Sequence, residues 1–188
     1  MSKLSRGGQG VKQTVKGERV VLREKRLEDA WNDYAWKQDP ELARLDATVP
    51  LDLPFSMYLV SYAEELNNCD GRVHTYAIET FDGKHIGNCS YYNLDRGKRE
   101  AELGILIGDA DCWGSGYGTD AVATLVHHAF KKEGLKRMYL HTLVGNTRAQ
   151  KCFLKCGFVP CRRVTRSGYD FTLMEIKEQE VSSSGDST

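Results

Sequence analysis

The stretch from Trp113 to Ala121, "WGSGYGTDA", sets glycines at 114, 116 and 118 immediately before a segment with helical spacing. Glycine is costly to order, so three at alternate positions answer a need for positive φ, or for backbone that a ligand approaches too closely for a Cβ. Both needs meet at a phosphate. A helix N-terminus offers unpaired N–H groups and about half a positive charge, and a glycine-rich turn entering it makes an anion cradle. A tight turn with Thr119 as N-cap is the other reading of the same residues. Upstream, "AELGILI" alternates so that Glu102, Gly104 and Leu106 share a strand face, which puts a carboxylate and a position without a side chain on one surface. Gly104 reads equally well as the mark of a β-bulge.

Phosphate loops differ in spacing. A P-loop needs a lysine after its last glycine, and none follows Gly118; a dinucleotide fingerprint needs G-x-G-x-x-G, whereas these glycines are spaced G-x-G-x-G. "WGSGYG" instead resembles the Gln/Arg-x-x-Gly-x-Gly/Ala pyrophosphate loop of the GNAT N-acetyltransferase superfamily. Trp113 occupies the first slot, as in the branch that includes the ribosomal-protein alanine and serine N-acetyltransferases. "AELGILI" is similar to that family's strand before the loop, "NTRAQKCFLKCGF" to its Asn-led helix ending in Gly-Phe, and "RSGYDFTLMEI" to its terminal hairpin. These features follow the family's order over roughly residues 18–178.

The resemblance implies acetyl-CoA as co-substrate, no metal, and an amine as acceptor, on a small molecule or a protein N-terminus. The pyrophosphate would lie on the N–H groups of Gly114, Ser115, Gly116, Tyr117, Gly118 and Thr119. Pantetheine would run along Leu103, Gly104, Ile105, Leu106 and Ile107, on a strand splayed from its neighbour so that N–H groups are free for the acyl oxygen. Asn146 would contact pantetheine, although N-cap duty explains an Asn there as well. Acyl transfer needs a neutral amine: a lysine or polyamine amine costs about 4.6 kcal/mol to deprotonate at pH 7, an α-amine only about 1.4 kcal/mol. Glu102 is the candidate base, acting directly or through water. An ion-paired, purely structural Glu102 is the alternative. The chain departs from the family twice: Phe153 stands where many relatives carry the Tyr that protonates the departing thiolate, and Ser115 stands where Lys or Arg is common. A non-catalytic acyl-CoA sensor is therefore the competing function.

Those residues need elements to hold them. A strand is expected near "ERVVLRE", then helices from Leu27 to about Gln38, burying Ala30, Trp31, Tyr34 and Ala35, and from about Phe55 to Leu66. Residues 73–107 read as a three-stranded antiparallel meander, with Asp82-Gly83 suited to a two-residue hairpin turn. From Thr119 a helix buries Ala121, Val122, Leu125, Val126, Ala129 and Phe130, and Gly134 caps it. "KRMYLHTL" is a strand, Asn146 opens a helix that Gly157 closes, and a hairpin ends the fold. The expected class is α/β, a single mixed and mostly antiparallel sheet with helices on both faces. Residues 17–178 form one acyltransferase domain between disordered tails at 1–16 and 179–188.

With 26 basic and 26 acidic residues, no net charge points to nucleic acid or an anionic membrane as partner. Apolar runs fall short of the roughly 20 residues that span a bilayer, and the N-terminus has no signal-peptide pattern, so the expected location is the cytoplasm. A homodimer is compatible with this composition. Six cysteines without a C-x-x-C pair read as ordinary thiols, although Cys152, Cys156 and Cys161 could be imagined around a metal. The five histidines have no triad companion at a telling spacing and read as structural. Asp39, Glu41, Asp46 and Asp52 sit in the segment expected to form the acceptor pocket, which points to a cationic acceptor.

Overall fold

The computed structural model describes residues 14–67 and 73–178. In chain order the elements are β1 (Thr14–Lys16), β2 (Val20–Glu24), α1 (Ala30–Gln38), α2 (Pro40–Leu45), α3 (Phe55–Asn67), β3 (His74–Thr80), β4 (His85–Asp95) and β5 (Glu100–Ile107). Then come α4 (Tyr117–Glu133), β6 (Arg137–Leu143), α5 (Thr147–Lys155), β7 (Val159–Arg166) and β8 (Tyr169–Lys177). The eight strands form one mixed sheet in the order β1-β2-β3-β4-β5-β6-β8-β7, antiparallel throughout except for β5 and β6. The fold class read from the sequence is the one observed. Thr14–Lys16, expected in the N-terminal tail, pairs with Val21–Arg23 as β1; the remaining tail residues and Cys69 lie outside the described residues.

The alternation of β2 through β5 sends one set of side chains into the main core. Val20, Leu22, Ile78, Ile86, Ala101 and Leu103 meet the apolar stripe of α4, which runs from Ala121 to Phe130 as its 3.6-residue period requires. The opposite sheet face, under α1 and α3, is polar. Arg23 pairs with Asp29 at 2.7 Å, Lys25 contacts Asp33 and the side-chain oxygen of Asn88, and His85 Nε2 lies 2.9 Å from the Gly87 carbonyl. Burial pushes His85 down from the ordinary imidazole range, so it is held neutral among these groups.

This polar floor explains why the buried face of α1 is not the expected one. Ala30 and Asp33 point inward, Tyr34 is half-buried, and Trp31 is 66% exposed, stacked on Phe55 with ring centroids 3.8 Å apart; Ala35 is exposed. The β3–β4 hairpin is also longer than a two-residue turn. Thr80 N–H bonds the Lys84 carbonyl around Phe81, Asp82 and Gly83, and Gly83 takes the left-handed position at φ 87°. α2 was not anticipated, yet Asp39 at its N-cap, accepting from Leu42 N–H at 2.9 Å, and Pro40 at its first position are ordinary helix-start signals.

Candidate active site

β5 and β6 are hydrogen-bonded only from Glu100–Arg137 to Glu102–Tyr139. Beyond that point β5 stays with β4 as far as Gly87–Ile107, and β6 stays with β8 as far as Leu143–Phe171. The strands diverge, and a cleft of about 440 Å³ opens along the free edge of β5. Ile105, Leu106, Ile107 and Phe153 line it together with Leu42 and Leu45 of α2.

The glycine loop closes one end. Gly114 and Gly116 adopt φ of 75° and 87°, the left-handed region that a residue with a Cβ enters only at a cost. Gly116 is the N-cap of α4, which starts two residues earlier than the sequence suggested and has no side-chain cap. The first N–H groups of the helix, at Tyr117, Gly118 and Thr119, therefore have no intrahelical acceptor and no capping oxygen. Trp113 ties the loop to the strand, its Nε1–H donating to the Ile107 carbonyl at 2.7 Å. The Arg148 guanidinium stacks on the Trp113 ring, 3.4 Å from its centroid.

Arg148 is one of three cations on one face of α5 that line the cleft, the others being Lys151 and Lys155, with Arg19 close to Gly116 on the other side. They line the cleft with positive charge that Ser115 does not carry. Their spacing of three and four residues was a legible helical stripe. Glycine-bent backbone, an uncapped helix start and a row of cations fit a pyrophosphate and its neighbouring phosphates.

Not every expected residue reaches this cleft. Leu103 is 3% exposed and belongs to the core, and Tyr117 packs against that core. Ser115 is exposed and does not line the cleft. Gly104 marks no bulge: a Cβ there would come within 3.2 Å of Ser90 Oγ and of the Tyr92 ring, so its missing side chain makes room for Tyr92. Asn146 lines the cleft, and its side chain caps α5 by accepting from Ala149 N–H at 3.1 Å. Of the four acidic residues in the acceptor segment, Asp46 lines the cleft; Asp39 caps α2 and Glu41 is bridged to Arg44.

Glu102 stands where the splay begins, 7% exposed and outside the cleft lining. Its Oε2 accepts from Asn93 Nδ2 at 3.0 Å, and its Oε1 lies 2.6 Å from His141 Nδ1. Asn93 reaches it because β4 is irregular between Tyr92 and Asp95: Asn93 sits at φ 52°, and the irregularity turns its side chain onto the carboxylate. His141, read from the sequence as structural, is thus the partner of the candidate base. Tyr92 and Tyr139 flank the pair, and burial, with Glu102 next, raises both phenols, Tyr92 to about 12.

A sheet opened beside a glycine loop that enters a helix, with a buried acid at the fork, is the candidate site of this fold. The acetyltransferase (GNAT) domain model matches residues 19–159, and the chain belongs to that family. Its co-substrate is acetyl-CoA and its reaction is acetyl transfer to an amine. The chain is 26% identical over 148 residues to p20 of Bacillus licheniformis, an N-acetyltransferase itself uncharacterised, covering 78% of this chain and 82% of that one. It is 33% identical over 79 residues, 42% of this chain and 43% of the other, to YdaF of Bacillus subtilis, provisionally named a ribosomal N-acetyltransferase. The fold is shared with the spermidine N-acetyltransferase of Vibrio cholerae solved with CoA and spermine, at a TM-score of 0.75 and 18% identity over 86% of this chain and 97% of that one. Among the described residues no helix is long and apolar enough to cross a membrane, and no group of three His, Cys, Asp or Glu side chains is placed to hold a metal ion.

Proposed function

We propose that the acceptor is an α-amine and that His141 and Glu102 act on it as one unit. The contact of 2.6 Å between His141 Nδ1 and Glu102 Oε1 carries this reading. With Glu102 ionised, the contact keeps a proton on Nδ1 and leaves Nε2 with its lone pair, as a carboxylate orients a histidine in a hydrolase triad. Asn93 and His141 already engage both oxygens of Glu102, so the amine proton passes to His141 Nε2 and Glu102 positions the ring. A lysine or polyamine amine costs about 4.6 kcal/mol to neutralise at pH 7 and an α-amine only about 1.4 kcal/mol, and the smaller cost favours the α-amine.

Acetyl-CoA supplies the thioester carbonyl that the amine attacks. The N–H groups from Gly114 to Thr119 would hold its pyrophosphate, Arg148, Lys151 and Lys155 its charge, and the free edge of Ile105–Ile107 its pantetheine arm. With Phe153 in place of a phenol, Tyr92 and Tyr139, which burial and then Glu102 keep protonated, are the hydroxyls offered to the departing thiolate.

Turnover is measured by thiol release on a panel of peptides with free N-termini, lysine side chains and spermidine. We expect the peptides to react fastest. His141→Gln keeps a donor to Glu102 but removes the base, and should lower kcat by about 100-fold and flatten the acidic limb of the pH profile. Glu102→Gln should cost only about tenfold. A larger loss in Glu102→Gln with the limb intact in His141→Gln would return the base role to Glu102. CoA binding without turnover on any amine would favour the sensor.

A further inference from the structure

β7 is the outermost strand on its side of the sheet, and it is exposed at every position except half-buried Val164. It carries Arg162, Arg163 and Arg166. Register fixes the side on which each one stands. Residues paired across a sheet share a face, and Arg162 is paired with Leu173 of β8, which is paired with His141 of β6. Arg162 therefore lies on the His141 side of the sheet, two strands away. Arg166 lies on that side too, because strand alternation has a period of two. Arg163 stands on the opposite side, in the row of Thr172 and Thr142.

The ground between His141 and these arginines is apolar. Phe171 stands edge-on to His141 with ring centroids 6.5 Å apart, and Leu173 is buried. Glu175, the acid of β8 on that face, is held by Arg137 at 2.6 Å and by Lys177 at 3.3 Å. Arg162 and Arg166 form no ion pair with any described residue. Burial raises the Tyr139 phenol beside His141, and the charge of Arg166 is among those that act on it, so Arg166 is within electrostatic reach of the site. The carboxylates that would suit a cationic acceptor are otherwise engaged: Asp39 caps α2, Glu41 is bridged to Arg44, and burial disfavours the charge of Asp46.

We propose that the acceptor is a polypeptide whose free N-terminus is followed, about three residues on, by Asp or Glu, and that Arg162 and Arg166 bind those carboxylates. The spacing follows from the sheet. Adjacent strands lie about 4.8 Å apart, so β7 is about 10 Å from β6, which an extended chain spans in about three residues. A chain with its amine at His141 Nε2 then crosses β8 and lays its next side chains over β7, where a guanidinium receives a carboxylate with two parallel N–H donors. The proposal deepens, and rests on, the reading of His141 as the base for an α-amine. Arginines at a sheet edge also hinder edge-to-edge pairing, but that duty would treat Arg163 like its neighbours.

The test uses short peptides with free N-termini that are alike except for Glu or Ala at the third, fourth or fifth position, with a lysine side chain and spermidine as the other amines. Thiol release by the full chain gives kcat and KM, and calorimetry with CoA reports the cofactor cleft. The best Glu peptide should have a KM about tenfold below its Ala counterpart with kcat within about twofold, an advantage that shrinks as salt is raised. Arg162→Glu combined with Arg166→Glu should abolish the preference, whereas Arg163→Glu should leave it within about twofold, and CoA affinity should hold in both. If the peptides outrun the other amines but Glu and Ala peptides share one KM, or if Arg163→Glu costs as much as the double variant, the proposal is wrong and the α-amine reading stands. A loss of CoA affinity in the double variant would assign the arginines to the cofactor and overturn the proposal as well. If the lysine side chain or spermidine outruns every peptide, or no peptide reacts, the α-amine reading falls and the proposal with it.

Discussion

The two halves of β5 behave as different objects. From Glu100 to Glu102 the strand is zipped to β6, and Arg137 pins the seam by reaching Glu100 on one side and Glu175 of β8 on the other, each at 2.6 Å. Side chains there are partnered before any ligand arrives, as Glu102 is with Asn93 and His141. From Ile105 to Ile107 the β6 partner has gone, the backbone edge is bare, and the strand runs on toward a loop bent by two glycines at positive φ. One end holds a carboxylate and an imidazole in fixed geometry; the other has an unpaired backbone edge beside a cleft lined with cations. A parallel pair ended after three residue pairs puts both environments within one strand.

Variants at the open end should change CoA affinity and leave the closed end alone. The largest effect is expected for Gly116→Val. A Cβ at 116 would have only ordinary contact, 3.7 Å from Arg19 Nε, so the penalty comes from φ rather than from crowding. A β-branched residue in that region costs about 1–3 kcal/mol and should bend the loop away, weakening CoA tenfold or more by calorimetry with kcat at saturation nearly unchanged. If affinity is preserved in a variant that melts normally, the loop is not the pyrophosphate site.

Arg148→Ala removes the cation stacked on Trp113 and should weaken CoA about fivefold, an effect that shrinks as salt is raised from about 50 to about 500 mM, over which the Debye length falls about threefold. A loss independent of salt would mean that the stack on Trp113 matters for loop shape rather than for charge.

The smallest effect is expected for Asn93, which only supports the pair at the closed end. Asn93→Ala deletes one hydrogen bond to Glu102 and should lower kcat by about threefold while the affinity for CoA stays constant. A change in CoA affinity instead would show that the two halves of β5 are mechanically coupled through β4, and the comparison would fail.

What could be read locally was read well where one side chain's neighbours lie within a turn or two. The stripe from Ala121 to Phe130, the meander of residues 73–107 and the glycine loop at a helix start all carry their signal in short-range spacing. Errors fell where burial depends on what lies opposite. Trp31 is large and apolar, yet α1 rests on a floor of Arg23, Lys25 and His85, which draws Asp33 inward and leaves the indole on Phe55. The surroundings of Leu103 and Gly104 are likewise set from across the sheet, the first side chain feeding the core and the second position yielding space to Tyr92.

By itself the sequence determined most of the elements, their order and the glycine-bent entry to α4, because helix period, strand alternation and the need of Gly114 and Gly116 for positive φ are properties of consecutive residues. The tertiary structure alone decided which groups meet. His141 lies 39 residues after Glu102, on the far side of α4, and the two touch only because β5 and β6 start in parallel register at Glu100–Arg137 before they part. Asn93 joins them through an irregularity in β4, and Cys152 meets Thr119 through the packing of α5 on α4. Contacts of this kind depend on the register and packing of distant segments, which no local spacing encodes.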